Sequence, residues 1–163
     1  MGRYKLNFSY IPKSAYGQNM RSVMTTYQWR KLSDYVRSIG VCAGCWHKYN
    51  PSELEAHEVW IWKKLGKQVL RRIIPLCKNC HRSVHIGRAY ACGEEKLYAE
   101  HFMKTRKLSK RKYKKMLSEA WLKLEKQNHI KWHLETTPEE AWDIAKSDQE
   151  ILQNRLKKHP AII

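Results

Sequence analysis

The chain has no apolar run long enough to cross a bilayer in any window of its 163 residues. Its first residues, Met1-Gly2-Arg3-Tyr4-Lys5-Leu6, carry no signal-peptide core. These two absences argue against a membrane protein and lead us to expect a reducing compartment, where paired cysteines bind metal more readily than they form disulfides. Internal repeats and low-complexity segments are also missing. One compact domain with a modest core and a helical appendage is therefore the expected organisation. Acidic residues are scarce: 15 Asp and Glu stand against 32 Lys and Arg, a formal charge of +17. So basic a chain suits a polyanionic partner, most often nucleic acid. The plain alternative is a solvated basic surface.

What is present is concentrated between Cys42 and Gly87. Residues 1–24 mix polar and aromatic residues without clear periodicity and read as an irregular arm that packs on the domain or reaches towards a partner, where Arg3, Lys5, Lys13 and Arg21 could touch phosphates. A helix follows, with Thr26 as N-cap, Trp29, Leu32, Val36 and Ile39 at helical spacing, and Gly40 as its stop. Cys42-Ala43-Gly44-Cys45 makes a knuckle, and residues 46–52 a loop. Strands are predicted over 54–62 and 69–76, joined by a turn centred on Gly66, with Pro75 marking the end of the second. A short helix opens near Lys78, runs through His85 and is ended by Gly87.

Beyond Gly87 the pattern is helical. Residues 94–104 form one helix, with Leu97 and Phe102 facing inwards. The next, 109–126, opens on Leu108-Ser109 as staple and N-cap. Its stripe of Tyr113, Met116, Leu117, Ala120, Trp121 and Leu124 reads as core, and its opposite face is dense in Lys and Arg. Thr137-Pro138-Glu139-Glu140 starts a last helix, and this tail, through Ile163, is more acidic and contributes less to an anion-binding face. Three parts result: an arm over 1–24, a core over 25–93 and a helical extension over 94–163.

Two CxxC pairs, Cys42/Cys45 and Cys77/Cys80, have the spacing of a four-thiolate structural zinc site, closed to substrate. Cys92 is left over and is expected to be a small buried or half-buried thiol. His81 and His85 lie four residues apart on the short helix, hence on one face, and His57 sits on the preceding strand. Three imidazoles could grip one divalent ion, with Glu58 next to them to orient or deprotonate a water. The bland alternative makes His81 a cap or substitute thiolate partner and His85 a surface residue. A zinc protease is discounted, because His57-Glu58-Val59-Trp60 lacks the second histidine of HExxH.

These residues resemble a known family. Cys-x-x-Cys, a histidine-bearing strand and Leu-Cys-x-x-Cys-His-x-x-x-His are similar to the ββα-metal, or HNH, endonucleases with an added zinc ribbon. A subgroup of small stand-alone bacterial and phage proteins is closer still, through Asn19-Met20-Arg21, Trp29, His57-Glu58-Val59-Trp60, His85-Ile86-Gly87-Arg88-Ala89, Trp121 and Trp132. The resemblance implies an α+β fold with a ββα-metal core, flanking helices and a cytoplasmic place in a bacterial or phage-infected cell. It also implies hydrolysis of DNA phosphodiesters, double-stranded DNA being the expected partner, with structural Zn2+ and one catalytic divalent cation (Mg2+, Mn2+, Ni2+ or Zn2+). Glu58, His57 and His81 are then the catalytic candidates, and His57, His81 and His85 the ligands of that cation. In one register His57 binds metal and Glu58 is the base; in the other His57 is the base, leaving His81 and His85 to hold the ion.

Two features depart from the family pattern. A carboxylate titrating near about 4.3 is a weak base unless its environment raises it. The central Asn of HNH is also missing, with Arg72 near its place and Asn79 a possible substitute. Arg82, Arg88, Lys110, Arg111, Lys112, Lys114 and Lys115 are the candidate phosphate contacts. A zinc-stapled DNA-binding protein without strong catalysis is the competing class; RNA ranks below both for want of aromatic reading platforms. Monomer and dimer are equally compatible with the last helices.

Overall fold

A hairpin of two long strands, β1 (Leu54–Lys63) and β2 (Lys67–Cys77), is the frame on which the rest is hung. They pair antiparallel from Leu54 opposite Cys77 to Lys63 opposite Lys67. The computed structural model describes residues 4–158. The expected phosphate contact at Arg3 and the end of the tail, 159–163, lie outside them. The architecture is α+β, with a three-stranded sheet in the order β1-β2-β3, the short β3 (His133–Leu134) running parallel to β2. Around it stand α1 (Met20–Val23), α2 (Thr26–Arg37), α3 (Lys78–Val84), α4 (Ile86–Ala91), α5 (Glu95–Arg106), α6 (Lys110–Gln127) and α7 (Pro138–Lys158).

The hairpin turns through Lys64–Gly66, where Leu65 and Gly66 both have positive φ. A Cβ on Gly66 would stand 2.1 Å from the Lys131 carbonyl oxygen, so only glycine fits there. The pairing shifts between Val59 and Trp60. Val59 faces Arg72 and Trp60 faces Leu70, which leaves Arg71 as the extra residue of a β-bulge. Without the bulge, Leu70 and Ile73 would point to opposite faces; with it, both enter one core with Met20, Leu32, Val36, Ala141 and Ala145 of α1, α2 and α7. The other face packs Leu54, Ile74 and Leu76 with Leu6, Phe8, Trp46, Val84 and Phe102.

The outer edge of β2 is closed by side chains where β3 does not reach. Leu70 N–H donates to Thr136 Oγ1 (2.8 Å), and Ile73 N–H donates to the buried Asp148 Oδ2 (2.9 Å). Pro75 does not end the strand. Its carbonyl faces outwards to accept from Ala43 N–H (2.8 Å), so its missing N–H falls on that same outer side and costs no ladder bond.

Other expectations need correction. The cap of α2 is Thr25, paired reciprocally with Gln28, rather than Thr26. The arm packs on the domain through Leu6, Phe8, Ala15, Met20 and Met24, as one of its two readings had it, but it is partly helical rather than irregular throughout. Gly87 does not end the short helix. The chain breaks at His85 (φ −90°, ψ 61°) and resumes as α4, because Val84 C=O accepts from Ser9 N–H and the Arg88 and Ala89 N–H groups turn to His85 C=O. Leu97 is 60% exposed and Cys92 is also at the surface, while Phe102 is buried. In the expected core stripe of α6, Tyr113 and Ala120 are buried, but Trp121 is 39% exposed and walls a cavity beside His81 and His85.

Candidate metal centres

Four cysteine thiols and three imidazoles form two separate clusters, and α3 serves both: Cys80 and His81 are consecutive residues. In each cluster the ligand atoms lie within 4.8 Å of one another.

The cysteine cluster is built by two backbone devices. The first knuckle is pinned by Cys42 N–H to His47 C=O and Trp46 N–H to Cys42 C=O, with Trp46 at positive φ. The second is the end of β2 running into α3, where Cys77 N–H donates to Cys42 Sγ (3.2 Å). Gly44 lets them close, since a Cβ there would stand 2.8 Å from Leu6 Cδ2 and 2.9 Å from Cys80 Sγ. Cys45 and Cys77 Sγ are 3.9 Å apart. Four thiolates at about 2.3 Å around a tetrahedral zinc have edges of about 3.8 Å, so this cluster fits that ion. His101 Nε2, from α5, stands 3.2 Å from Cys80 Sγ. Nothing in the local pattern of the sequence singled it out.

The histidine cluster draws His57 from β1, His81 from α3 and His85 from the break between α3 and α4. His57 is 2% exposed. The Nε2 atoms of His81 and His85 are 3.2 Å apart, and the ring centroids of the three are 4.8 to 5.1 Å apart. Two nitrogens at about 2.0–2.1 Å on one tetrahedral ion are separated by about 3.3 Å, so these also fit. His81 Nδ1 is hydrogen-bonded to Glu55 Oε2, which turns Nε2 towards the cluster. The Ser9 backbone beside the His85 ring favours its charged form and works against burial. Burial holds His57 well below the usual histidine range, reinforced by His85 and His81. Burial takes His85 down to about 4, and lowers His81 against the pull of Glu55. All three are thus neutral at pH 7, the form whose lone pair binds a cation.

Glu58 sits differently from the sequence expectation. Its Oε1 accepts from Met20 N–H (2.8 Å), anchoring α1, and it is not among the groups that converge. It lines a cavity with His57, His81 and His85, together with Asn19 and Arg21. Burial raises its carboxyl, with the Met20 N–H and Arg21 opposing. Glu55 was missed, although it lies two residues before His57 on the same strand, a spacing that shares a face.

Among the expected phosphate contacts, Arg82 is tied to Glu94 at 3.3 Å. Arg88 is exposed and lines the cavity with His81, His85 and Trp121. Lys110, Arg111, Lys112, Lys114 and Lys115 are exposed along the first half of α6. Arg72 does not steady the histidine loop: its Nη1 pairs with Asp148 Oδ1 of α7 at 3.1 Å. No helix among the described residues is long and apolar enough to cross a membrane.

In comparisons with family models, curated proteins and solved structures, nothing matched this chain.

Proposed function

We propose that the protein is a metal-dependent DNA endonuclease or nickase with a ββα-metal core, stapled by structural zinc at Cys42, Cys45, Cys77 and Cys80. The observation that carries this reading is the convergence of His57, His81 and His85 on one point beside a four-cysteine cluster, in a chain of charge +17. His57, His81 and His85 would hold a divalent cation, which would supply the positive charge that phosphodiester cleavage needs. The chain's own groups do the rest. Glu55 holds the ring of His81 in orientation, and the Ser9 N–H bond to Val84 C=O fixes the break that carries His85. Glu58 Oε1 is occupied by Met20, so Oε2 is the atom that takes a proton from the attacking water. The water oxygen bonds to phosphorus as the bond to the leaving sugar oxygen breaks. Arg88 and the basic first half of α6 place the DNA backbone without choosing bases.

The competing reading, a zinc-stapled DNA-binding protein without catalysis, draws on the bond that commits Glu58 to α1. The test is digestion of supercoiled plasmid with Mg2+, Mn2+, Ni2+ or EDTA, beside a Glu58→Ala, His85→Ala double variant. Cation-dependent nicked or linear product, lost in the variant, supports the nuclease. Intact plasmid throughout, with DNA still retarded on a gel, favours the binding protein.

A further inference from the structure

The β-bulge has a direction. Its extra residue, Arg71, is exposed, and its side chain makes no hydrogen bond, ion pair or ring contact among the described residues. Its neighbours on either side are fully committed: Leu70 to the core through its side chain and to Thr136 through its N–H, Arg72 to Asp148. Asp148 holds the bulge from behind, since one carboxylate accepts from both Arg72 Nη1 and Ile73 N–H. A buried carboxylate on α7 therefore fixes a local irregularity whose outcome is one unpaired guanidinium. Bulges next to functional sites re-aim side chains in this way.

Arg71 is aimed into a groove of about 360 Å³ between the hairpin, the arm and α6. His57 lines the same groove, so its inner end reaches the histidine cluster. Trp60, Trp62 and Tyr10 supply aromatic walls, and Lys123 of α6 faces in from the far side, one turn beyond Glu119. A groove lined by a guanidinium, an ammonium and aromatic faces, with one carboxylate at Glu119, and touching the histidine cluster at His57, has the chemistry of a nucleic-acid strand path: phosphate for the cations and base or sugar for the rings.

We propose that this groove binds the sugar–phosphate backbone of the DNA adjacent to the histidine centre, with Arg71 as its principal phosphate-holding residue and Lys123 as the second. The inference deepens the nuclease reading and rests on it for the word substrate, but the groove can be tested without any cleavage. Arg71 is a positioning residue: it holds a phosphate flanking the one at the histidines and takes no proton.

The experiment uses the full chain with its zinc and a duplex oligonucleotide, without added catalytic cation. Binding is measured across a series of salt concentrations for the wild type, Arg71→Gln, Arg71→Lys and Lys123→Gln. Loss of one phosphate contact should reduce the slope of log K against log salt by about 0.9. We expect that reduction in Arg71→Gln and Lys123→Gln, with the wild-type slope kept in Arg71→Lys. Where cleavage is observed, Arg71→Gln should raise KM several-fold with a smaller effect on kcat. A wild-type slope in Arg71→Gln overturns the proposal, as does a wild type that binds no DNA. A wild type that never cuts but shows the expected slopes would remove the nuclease reading and leave the groove standing.

Discussion

His81 Nε2 and His85 Nε2 stand 3.2 Å apart although the helix between them breaks at His85. Two ties from outside the helix bear on this pair: Glu55 on the His81 ring, and Ser9 N–H on the Val84 carbonyl at the break that carries His85. Removing a ring and removing its tie should therefore have distinguishable effects.

His85→Ala should abolish plasmid cutting, a loss of at least about 100-fold, while zinc stays near one per chain at the cysteines. Cleavage kinetics with elemental analysis of the purified variant read both. Cys77→Ala should lose zinc and folding together, because ligand loss at a structural site removes folding free energy. A His85→Ala variant that cuts normally would sink the ligand assignment.

Glu55→Gln keeps the shape of the side chain but gives up the charge on His81. We expect cation affinity at the three-histidine cluster to fall by about 10- to 100-fold, with zinc content unchanged. Titration with Co2+ or Ni2+, followed by absorption, measures it. Unaltered affinity would show that Glu55 is only a surface partner of His81.

Asp148 gives stability a pH slope. Burial pushes its carboxyl from 3.8 up to about 6, with the Ile73 N–H and Arg72 opposing. The native state thus holds the proton more tightly than the unfolded chain. This contribution is fully present below pH 3.8 and is lost as pH rises through about 6. Asp148→Asn cannot titrate, so the difference between wild-type and variant stability should change between those limits and be flat above pH 7. Urea denaturation at intervals from pH 3.5 to 8 tests this, and a constant difference across the range would refute it.

Gly66→Ala should destabilise the protein by at least about 2 kcal/mol, because a left-handed backbone strains any Cβ and this one meets the Lys131 carbonyl. The comparison variant is Gly17→Ala, at positive φ with nothing within 4 Å, which carries the backbone strain alone. Equal losses in the two would show that the Lys131 contact relaxes freely.

Much of this site can be read from the sequence because its chemistry is carried by spacing. Two CxxC pairs and His81-x-x-x-His85 name their own candidate ligands, and the bulky apolar residues around His57 place it on a strand. The break at His85 is hidden, since no glycine or proline stands there; it comes from Ser9, more than 70 residues away, taking the Val84 carbonyl. The bulge at Arg71 is hidden for the same kind of reason. Val-Leu-Arg-Arg-Ile-Ile reads as an uninterrupted strand until Asp148, 75 residues on, claims the Ile73 N–H. Trp121 was misread because helical periodicity identifies an apolar stripe without saying whether anything covers it. Here the stripe borders a cavity.

Cys80 and His81 are consecutive on α3, so ions held at the two clusters would share one short helix. An ion at the four cysteines would fix the start of α3, and one entering the histidines would then meet a turn already held in place. By reciprocity, an ion at the histidines tightens the hold of the cysteines on theirs by the same factor. Apo protein should therefore load in sequence, thiolates first, and chelators should strip it in the reverse order.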